Sequence, residues 1–331
     1  MVTMTYSDAA REAVRQTMQA DKTVWCVGED LGRGGVFGQY KGLQEEFGPQ
    51  RICDSPISEA AIMGAAFGAA MVGTRPIVEM RFSDFALCAV DELVNQIAKA
   101  RFMFGGQSRA PMVIREPIGI WRSSAAQHSQ SLESWYAHIP GLVVICPSTP
   151  QDNFSLLKAA IECDDPVVYL EHKNIWGLEG DVDVTKEVPI GKASIRHKGD
   201  DVTIVSWSDT ANLSVQAAQD LATMGIGAEV IDLRSLWPWD KKTVIESVRK
   251  TGRLVVAHES VAVAGFGAEI VATVCEHSDV DLKGRVRRLG APRSLIAYAP
   301  NLEDKMRVTR EMIVNAAQQT MPQQTMQGHY E

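Results

Sequence analysis

Two polar clusters in this chain carry side chains that could move protons. The first, Asp54-Ser-Pro-Ile-Ser-Glu59, ends a loop and opens a helix expected over 60–72 that holds no charge. Ser58 is placed to cap that helix and Glu59 to occupy its first turn, where the macrodipole favours a negative charge. For an arbitrary glutamate that dipole role would suffice. The second cluster is Gln127-His-Ser-Gln130, in a long loop after a strand. A lone loop histidine is usually just solvated, but His128 stands among side chains able to hydrogen-bond to it, which makes it an acid/base candidate. His138 is a weaker one. Ser129 beside His128 does not make a hydrolase, because adjacent residues cannot form a triad and no Gly-x-Ser-x-Gly elbow is present. His258-Glu259 lacks a third ligand at metal spacing, which favours a structural or interface role. The glycine-rich stretch Gly32-Arg-Gly-Gly-Val-Phe-Gly38 fits neither the dinucleotide fingerprint nor the P-loop, and Gly265-Phe-Gly267 reads as a tight strand-to-helix turn.

These clusters need a scaffold, and the apolar patterning supplies one. Strands are expected at 23–28, 75–79, 111–115, 142–146 and 166–171, interleaved with helices at 7–20, 60–72, 85–104 and 151–162. Continuously apolar strands alternating with helices predict a parallel sheet covered on both faces, with ligands at the loops that follow the strands. From 177 to 189 the chain turns acidic and loses periodicity. Beyond it the alternation repeats, with strands at 202–207, 228–233, 253–258 and 285–289 and helices at 212–224, 240–251, 265–277 and 303–319. The expected fold class is therefore α/β, with two parallel-sheet domains at 1–178 and 191–331 joined by a linker at 179–190. A helix apolar on every side, as at 60–72, is buried or packed on another chain. The helix at 85–104 carries Asp91, Glu92, Asn95, Gln96, Lys99 and Arg101, too many polar groups for a core helix, and a partner chain would explain them. The glutamine-rich tail after Met321 reads as frayed.

Composition narrows the function classes. The chain has 331 residues, 45% hydrophobic and 22% charged, as in ordinary globular proteins. A formal net charge of −8 argues against a nucleic-acid or anionic-membrane surface. The N-terminus reads as an amphipathic helix containing acids, not a targeting peptide, and no apolar run suits a membrane span. Six cysteines stand singly, without a Cys-x-x-Cys pair, and read as buried reduced thiols of a cytoplasmic protein.

Taken in order, the motifs resemble the beta subunit of the thiamine-diphosphate-dependent first component of 2-oxoacid dehydrogenase complexes. The likeness runs through Gly28-Glu-Asp30, Asp54-Ser-Pro-Ile-Ser-Glu59, Arg75-Pro-Ile-Val-Glu79, Gln127-His-Ser-Gln-Ser131, Asp232-Leu-Arg-Ser-Leu236 and Gly265-Phe-Gly-Ala-Glu269. It implies a transketolase-like pyrimidine-binding domain followed by a transketolase C-terminal-like domain. It also implies a shared active site. The beta chain holds the aminopyrimidine, and an alpha chain holds the diphosphate through Mg2+ with a Gly-Asp-Gly motif absent here, in a heterotetramer of two alpha and two beta chains. On that likeness Glu59 hydrogen-bonds the pyrimidine nitrogen N1′ and Phe85 lies against the pyrimidine face. Glu29 supports the cofactor, Ile57 and Gln130 line the pocket, and His128 is the acid/base near the substrate or an incoming lipoyl group. A potassium ion on the backbone carbonyls of Ala160, Cys163 and Asp165 is a further implication.

Within the family, Arg101-Phe-Met-Phe-Gly-Gly106, Ala125-Ala-Gln-His-Ser-Gln130 and Glu171-His-Lys173 look most like acetoin dehydrogenase beta subunits. The expected activity is thus cleavage of acetoin, or a related ketone, with transfer of the fragment to lipoyl groups of a dihydrolipoyl acyltransferase core. The rival within the class is a pyruvate or branched-chain 2-oxoacid dehydrogenase beta subunit. From other classes, the rivals are a non-catalytic scaffold paralogue and a self-sufficient transketolase-like homodimer. The stretch Ala291–Pro300 followed by Lys305-Met-Arg-Val-Thr309 departs from the family pattern in the region implied to dock the acyltransferase.

Overall fold

A computed structural model describes residues 1–322, and the expected frayed tail lies almost wholly outside them. Two sheets organise the chain. The first has seven strands in the order Ser235–Trp237, Val143–Ile145, Val167–His172, Val113–Ile118, Arg75–Glu79, Val24–Gly28, Ile52–Asp54. All are parallel except Ser235–Trp237, which runs antiparallel to Val143–Ile145 at one edge. The second has five, in the order Arg287–Ala291, Leu254–Val261, Val202–Ser206, Ala228–Asp232, Ser194–His197, the last antiparallel. Central strands such as Val167–His172 and Val202–Ser206 are buried at every position, as a parallel sheet covered on both faces requires. Helices Tyr6–Ala20 and Pro150–Glu162 pack together over one face of the first sheet, each started by a threonine, Thr5 and Thr149, whose hydroxyl accepts a backbone N–H. No helix among the described residues is long and apolar enough to cross a membrane.

Several expectations are corrected. The helix expected at 85–104 is a broken run: Ser83–Ala86, a 3-10 turn Leu87–Ala89, a π-helical stretch Asp91–Ile97, and Ala100–Met103. The Ala98 amide reaches back five residues to Leu93 O at 3.0 Å, and Asp91 accepts from both Asn95 and Gln96, so the polar side chains themselves close the wider turn. The acidic stretch after Gly177 is not structureless, because Glu179–Val182 pairs antiparallel with Val2–Thr5. The C-terminal helix also divides. Pro300–Glu303 ends in a short 3-10 turn, and Thr309, accepting from the Met312 amide, starts Arg310–Gln318 afresh. The cysteines are free, but only Cys26 and Cys146 are buried, and Cys88 and Cys275 are exposed.

Candidate active site

The residues Glu29, Ile57, Glu59, Phe85, His128 and Gln130 each follow the carboxyl end of a parallel strand of the first sheet. Glu29 follows Val24–Gly28. Ile57 and Glu59 follow Ile52–Asp54. Phe85 follows Arg75–Glu79, and His128 with Gln130 follows Val113–Ile118. Open parallel sheets present their ligand-binding loops at this edge, since the strand ends leave a crevice that the covering helices do not fill.

Glu59 is the first residue of helix Glu59–Met71. Ser58 takes the N-cap position, but its hydroxyl makes no capping hydrogen bond. The helix buries Ile62, Met63, Ala66 and Ala70, while Ala61, Gly64, Ala65, Gly68 and Met71 form a bare face of small apolar groups. A Cβ added at Gly64 or Gly68 would meet nothing within 4 Å. The charge-free helix is therefore half core and half open surface. Among the described residues the Glu59 carboxylate, partly exposed, makes no side-chain hydrogen bond or ion pair.

Its neighbour Glu29 is nearly buried. Burial raises its pKa, the Arg81 guanidinium opposes this, and repulsion from Glu59 and Asp30 adds to the rise. Arg81 Nε lies 2.9 Å from Glu29 Oε2, and the same guanidinium also engages Asp30. One arginine therefore holds Glu29 and Asp30 together beside Glu59. Sequence reasoning did not single out Arg81. Its position two residues beyond a strand end was the available signal.

An aromatic wall begins at Phe82, the residue after Arg81. Phe82 and Phe85 meet edge to face at 5.6 Å, and the His128 ring meets Phe82 at 4.9 Å and Phe85 at 5.1 Å. The wall continues through Phe37 to Trp121 and Trp176, so the glycine-rich loop contributes a ring and not a phosphate cradle. Asp84, from the same short helix as Phe85, accepts from Gln130 Nε2 at 2.8 Å.

The loop bearing His128 is tied down along its length. Gly119 donates to Gln130 O at 3.3 Å and closes the base. The Ile120 amide donates to Glu259 Oε1 at 2.7 Å, and Glu259 also meets His172 Nε2 at 2.9 Å. Burial alone would lower the His172 pKa, but the Glu259 carboxylate outweighs it and the net direction is up. For Glu259, burial is likewise overcome, by His172 and the Ile120 amide, and its pKa falls. His258-Glu259 thus has the structural role expected of it, joining the second half of the chain to the loop. Gly119 is required here: its φ is +93°, and a Cβ would stand 2.1 Å from His172 Nε2. Gly119→Ala is expected to cost more than about 2 kcal/mol through backbone strain and overlap, read from the urea midpoint of the assembled protein.

Other residues are not brought into this group. Ile57 is 78% exposed and touches open space on the chain considered singly. His138 ends the short helix Glu133–Ala137 and lines a separate groove with Trp135, Trp237 and Phe266. At the turn proposed for potassium, Ala160 O accepts the Cys163 amide, and Cys163 O accepts from the Arg75 guanidinium at 3.0 Å. Arg75 also pairs with Asp164 at 2.8 Å, so that turn already holds a positive charge. Among the described residues no group of three or more His, Cys, Asp or Glu stands together as a metal site. Lys173, which the sequence offers only as the end of the motif Glu171-His-Lys173, is given a place here. It is buried at the end of Val167–His172, and its ammonium donates to the His128 carbonyl.

Comparison with known proteins gives the following. The family described as "Transketolase, pyrimidine binding domain" matches residues 2–177, and "Transketolase, C-terminal domain" matches 191–313. The chain is 40% identical over 317 residues to "2-oxoisovalerate dehydrogenase subunit beta" of Bacillus subtilis (strain 168), covering 95% of this chain and 97% of that one. It is 42% identical over 325 residues to "Acetoin:2,6-dichlorophenolindophenol oxidoreductase subunit beta" of Cupriavidus necator, covering 95% and 96%. It is also 42% identical over 320 residues to "Pyruvate dehydrogenase E1 component subunit beta-2, mitochondrial" of Oryza sativa subsp. japonica, covering 95% and 85%. Among solved structures, "Split gene transketolase, inactive beta4 tetramer" superposes with a TM-score of 0.78 at 22% identity, covering 96% of this chain and 98% of that one, a likeness of fold.

Proposed function

Because the chain belongs to the family of beta subunits of thiamine-diphosphate-dependent 2-oxoacid and acetoin dehydrogenase first components, we propose that it supplies the pyrimidine-binding half of an active site completed by an alpha chain. In this reading two alpha and two beta chains make the working enzyme, the alpha chain holds the diphosphate and Mg2+, and a dihydrolipoyl acyltransferase core receives the product. What supports the proposal is that an uncommitted carboxylate, Glu59, and an aromatic wall, Phe82 and Phe85 with His128, stand on loops that leave the same carboxyl edge of one parallel sheet.

The residues fit the cofactor. A flat apolar heterocycle suits the Phe85 face, and a carboxylate with no partner among the described residues suits a ring nitrogen that must share a proton. When bound, thiamine diphosphate supplies the nucleophilic carbon and the electron sink for cleaving a bond beside a carbonyl. This chain's residues do the rest. Glu59 holds a proton at its carboxyl oxygen. Glu29, paired with Arg81, keeps a second polar group beside it. Phe82 and Phe85 exclude water, and His128 moves a proton at its ring nitrogen as substrate or lipoyl sulfur arrives. The bare face of helix Glu59–Met71 and the exposed Phe102 and Met103 fit burial against other chains.

The proposed substrate is acetoin, supported by the motif likeness around His128 and Lys173. Identity to the named relatives does not separate the specificities, since branched-chain, acetoin and pyruvate relatives lie within 40–42%. Co-expression with the alpha chain, and a panel of acetoin, pyruvate and branched-chain 2-oxoacids with a dye acceptor, decides it. Acetoin-dependent reduction is the expected result, and turnover of 2-oxoacids alone removes the assignment.

A further inference from the structure

Lys173 is an unusual residue for the place it occupies. Its side chain is buried at the carboxyl end of a central strand. A buried ammonium is normally balanced by a carboxylate, because desolvating an unpaired charge costs several kcal/mol. Here no carboxylate among the described residues closes on it as an ion pair. Its contacts are instead the His128 carbonyl, which accepts its proton, and the Phe82 ring, whose centroid lies 4.7 Å from Nζ. Burial pulls its pKa down to about 8, against the attraction of Asp84, Glu259 and Glu303. The charge therefore serves a particular backbone atom, and that atom belongs to His128.

The rest of the loop makes the purpose specific. Residues 119–130 leave the sheet and return, with Gly119 bonded to Gln130 O across the base. At the outgoing end, Arg307 Nη1 donates to Ile120 O at 3.0 Å, Glu259 accepts from the Ile120 amide, and Glu303 accepts from the Ser123 amide at 3.1 Å. All three anchors come from the second half of the chain. At the returning end, Asp84 holds the Gln130 side chain. Between them, the one polar contact made to His128 among the described residues is that of Lys173. The His128 imidazole is packed on Phe82 and Phe85 but has no hydrogen-bond partner among the described residues, so its aim depends on where the backbone is held.

We propose that Lys173 is a positioning residue for His128, fixing the loop carbonyl so that the imidazole stays against the Phe82–Phe85 wall, while Glu259, Glu303 and Arg307 hold the same loop from the second half of the chain. The inference rests on the reading of His128 as the acid/base. It adds a residue that acts through His128 and touches neither substrate nor cofactor. It also gives the C-terminal departure from the family pattern a role at the active site: Arg307 lies in Lys305-Met-Arg-Val-Thr309, and Glu303 lies in the short stretch between it and Ala291–Pro300.

The test uses the holoenzyme assembled with its alpha chain. Lys173→Met, Lys173→Arg, His128→Asn and the Lys173→Met/His128→Asn double variant are compared with the unchanged protein. Lys173→Met is expected to lower kcat by roughly tenfold or more, with KM for thiamine diphosphate unchanged, and to have no further effect in the His128→Asn background, because coupled residues are not additive. Amide hydrogen exchange over residues 119–130 should rise in Lys173→Met and stay unchanged in Lys173→Arg. Wild-type kcat in Lys173→Met, or the same fold-loss in both backgrounds, overturns the proposal. Should Lys173→Met fail to assemble, the pH profile decides. The groups facing Nζ are Asp84, Glu259, Glu303, His128 and the adjacent His172. Burial brings the Lys173 ammonium to about 8, so kcat should fall through that region in the unchanged protein and less in Lys173→Arg, any fall common to both belonging to His172, whose pKa Glu259 raises; identical alkaline limbs overturn the idea. A fully active His128→Asn would instead remove the acid/base reading, and the exchange result would still report whether Lys173 holds the loop.

Discussion

Glu59→Gln, assembled with the alpha chain, is expected to lose activity by between about 10² and 10⁴, the range set by removing a group that shares a proton in the rate-limiting chemistry. The substitution is close to isosteric and keeps a hydrogen-bonding group at the helix start. It removes only the ability to hold and release a proton. The structural cost can be bounded separately. Glu59 makes no ion pair among the described residues, and its contact with the helix dipole is worth about 0.3–1 kcal/mol. A melting midpoint close to that of the unchanged protein, with kcat depressed by two orders of magnitude or more, assigns the effect to chemistry. Glu29→Gln should cost less, since Arg81 already pairs with that carboxylate and its role is support. The comparison matters because the two side chains are near neighbours of the same kind. If both variants lost equal activity, general electrostatics at the site would explain the data. If Glu59→Gln retained activity within a few-fold, the carboxylate would be only the first-turn acid that helix rules require, and the scaffold reading would regain its standing.

How far these roles were legible in the sequence depends on the range of the interactions behind them. The start of helix Glu59–Met71 and the strands Val24–Gly28 and Arg75–Glu79 were readable because their signals are local: apolar runs of strand length, and a charge-free helix after a polar turn. That Glu59, Phe85 and His128 all follow strands at one sheet edge was readable from strand order, since a parallel sheet sends successive loops to one edge. Pairings made only in three dimensions left no local trace. Glu179–Val182 is a strand because Val2–Thr5 lies beside it, and Ser235–Trp237 joins the first sheet although its neighbours in sequence belong to the second. The π-helical stretch hides in a pattern that reads as an ordinary helix, because Asn95 and Gln96 are both compatible with either turn. Arg81, and the role of Lys173, escaped for another reason. A lysine or arginine in sequence reads as surface, and only the burial of Lys173 beneath the loop, or the two carboxylates around Arg81, turns the charge into an argument.

Arg115→Met should be the most damaging substitution away from the site, costing about 3–5 kcal/mol by leaving buried carboxylates without their cation. Arg115 lies in the middle strand of the first sheet and is 1% exposed. Its Nε and Nη2 reach Glu171 Oε2 at 2.8 and 2.7 Å, and the guanidinium lies over the Tyr40 ring. Asn153 supports the other oxygen of Glu171 at 3.1 Å, and Tyr40 donates to Glu79 at 2.9 Å. Methionine matches much of the length and none of the charge, so packing survives better than electrostatics. The sign of the pH dependence follows from Glu79. Burial pushes its pKa up to about 7, and Arg115 is the largest influence holding it down. A carboxyl raised above its unfolded value, roughly 4.3, binds more protons folded than unfolded between the two values, so its contribution is full below about pH 4.3 and falls away as pH rises toward 7. Without Arg115 that window should extend upward, and the variant should lose stability more steeply between pH 6 and 8 than the unchanged protein. Urea midpoints of the assembled protein across that range measure both effects. Arg115→Met/Glu171→Leu should recover part of the loss, because removing both members of a buried pair costs less than orphaning one. An Arg115→Met variant with an unchanged midpoint at pH 7 would show that water or a counter-ion balances these carboxylates, and that the sheet does not depend on the guanidinium at its centre.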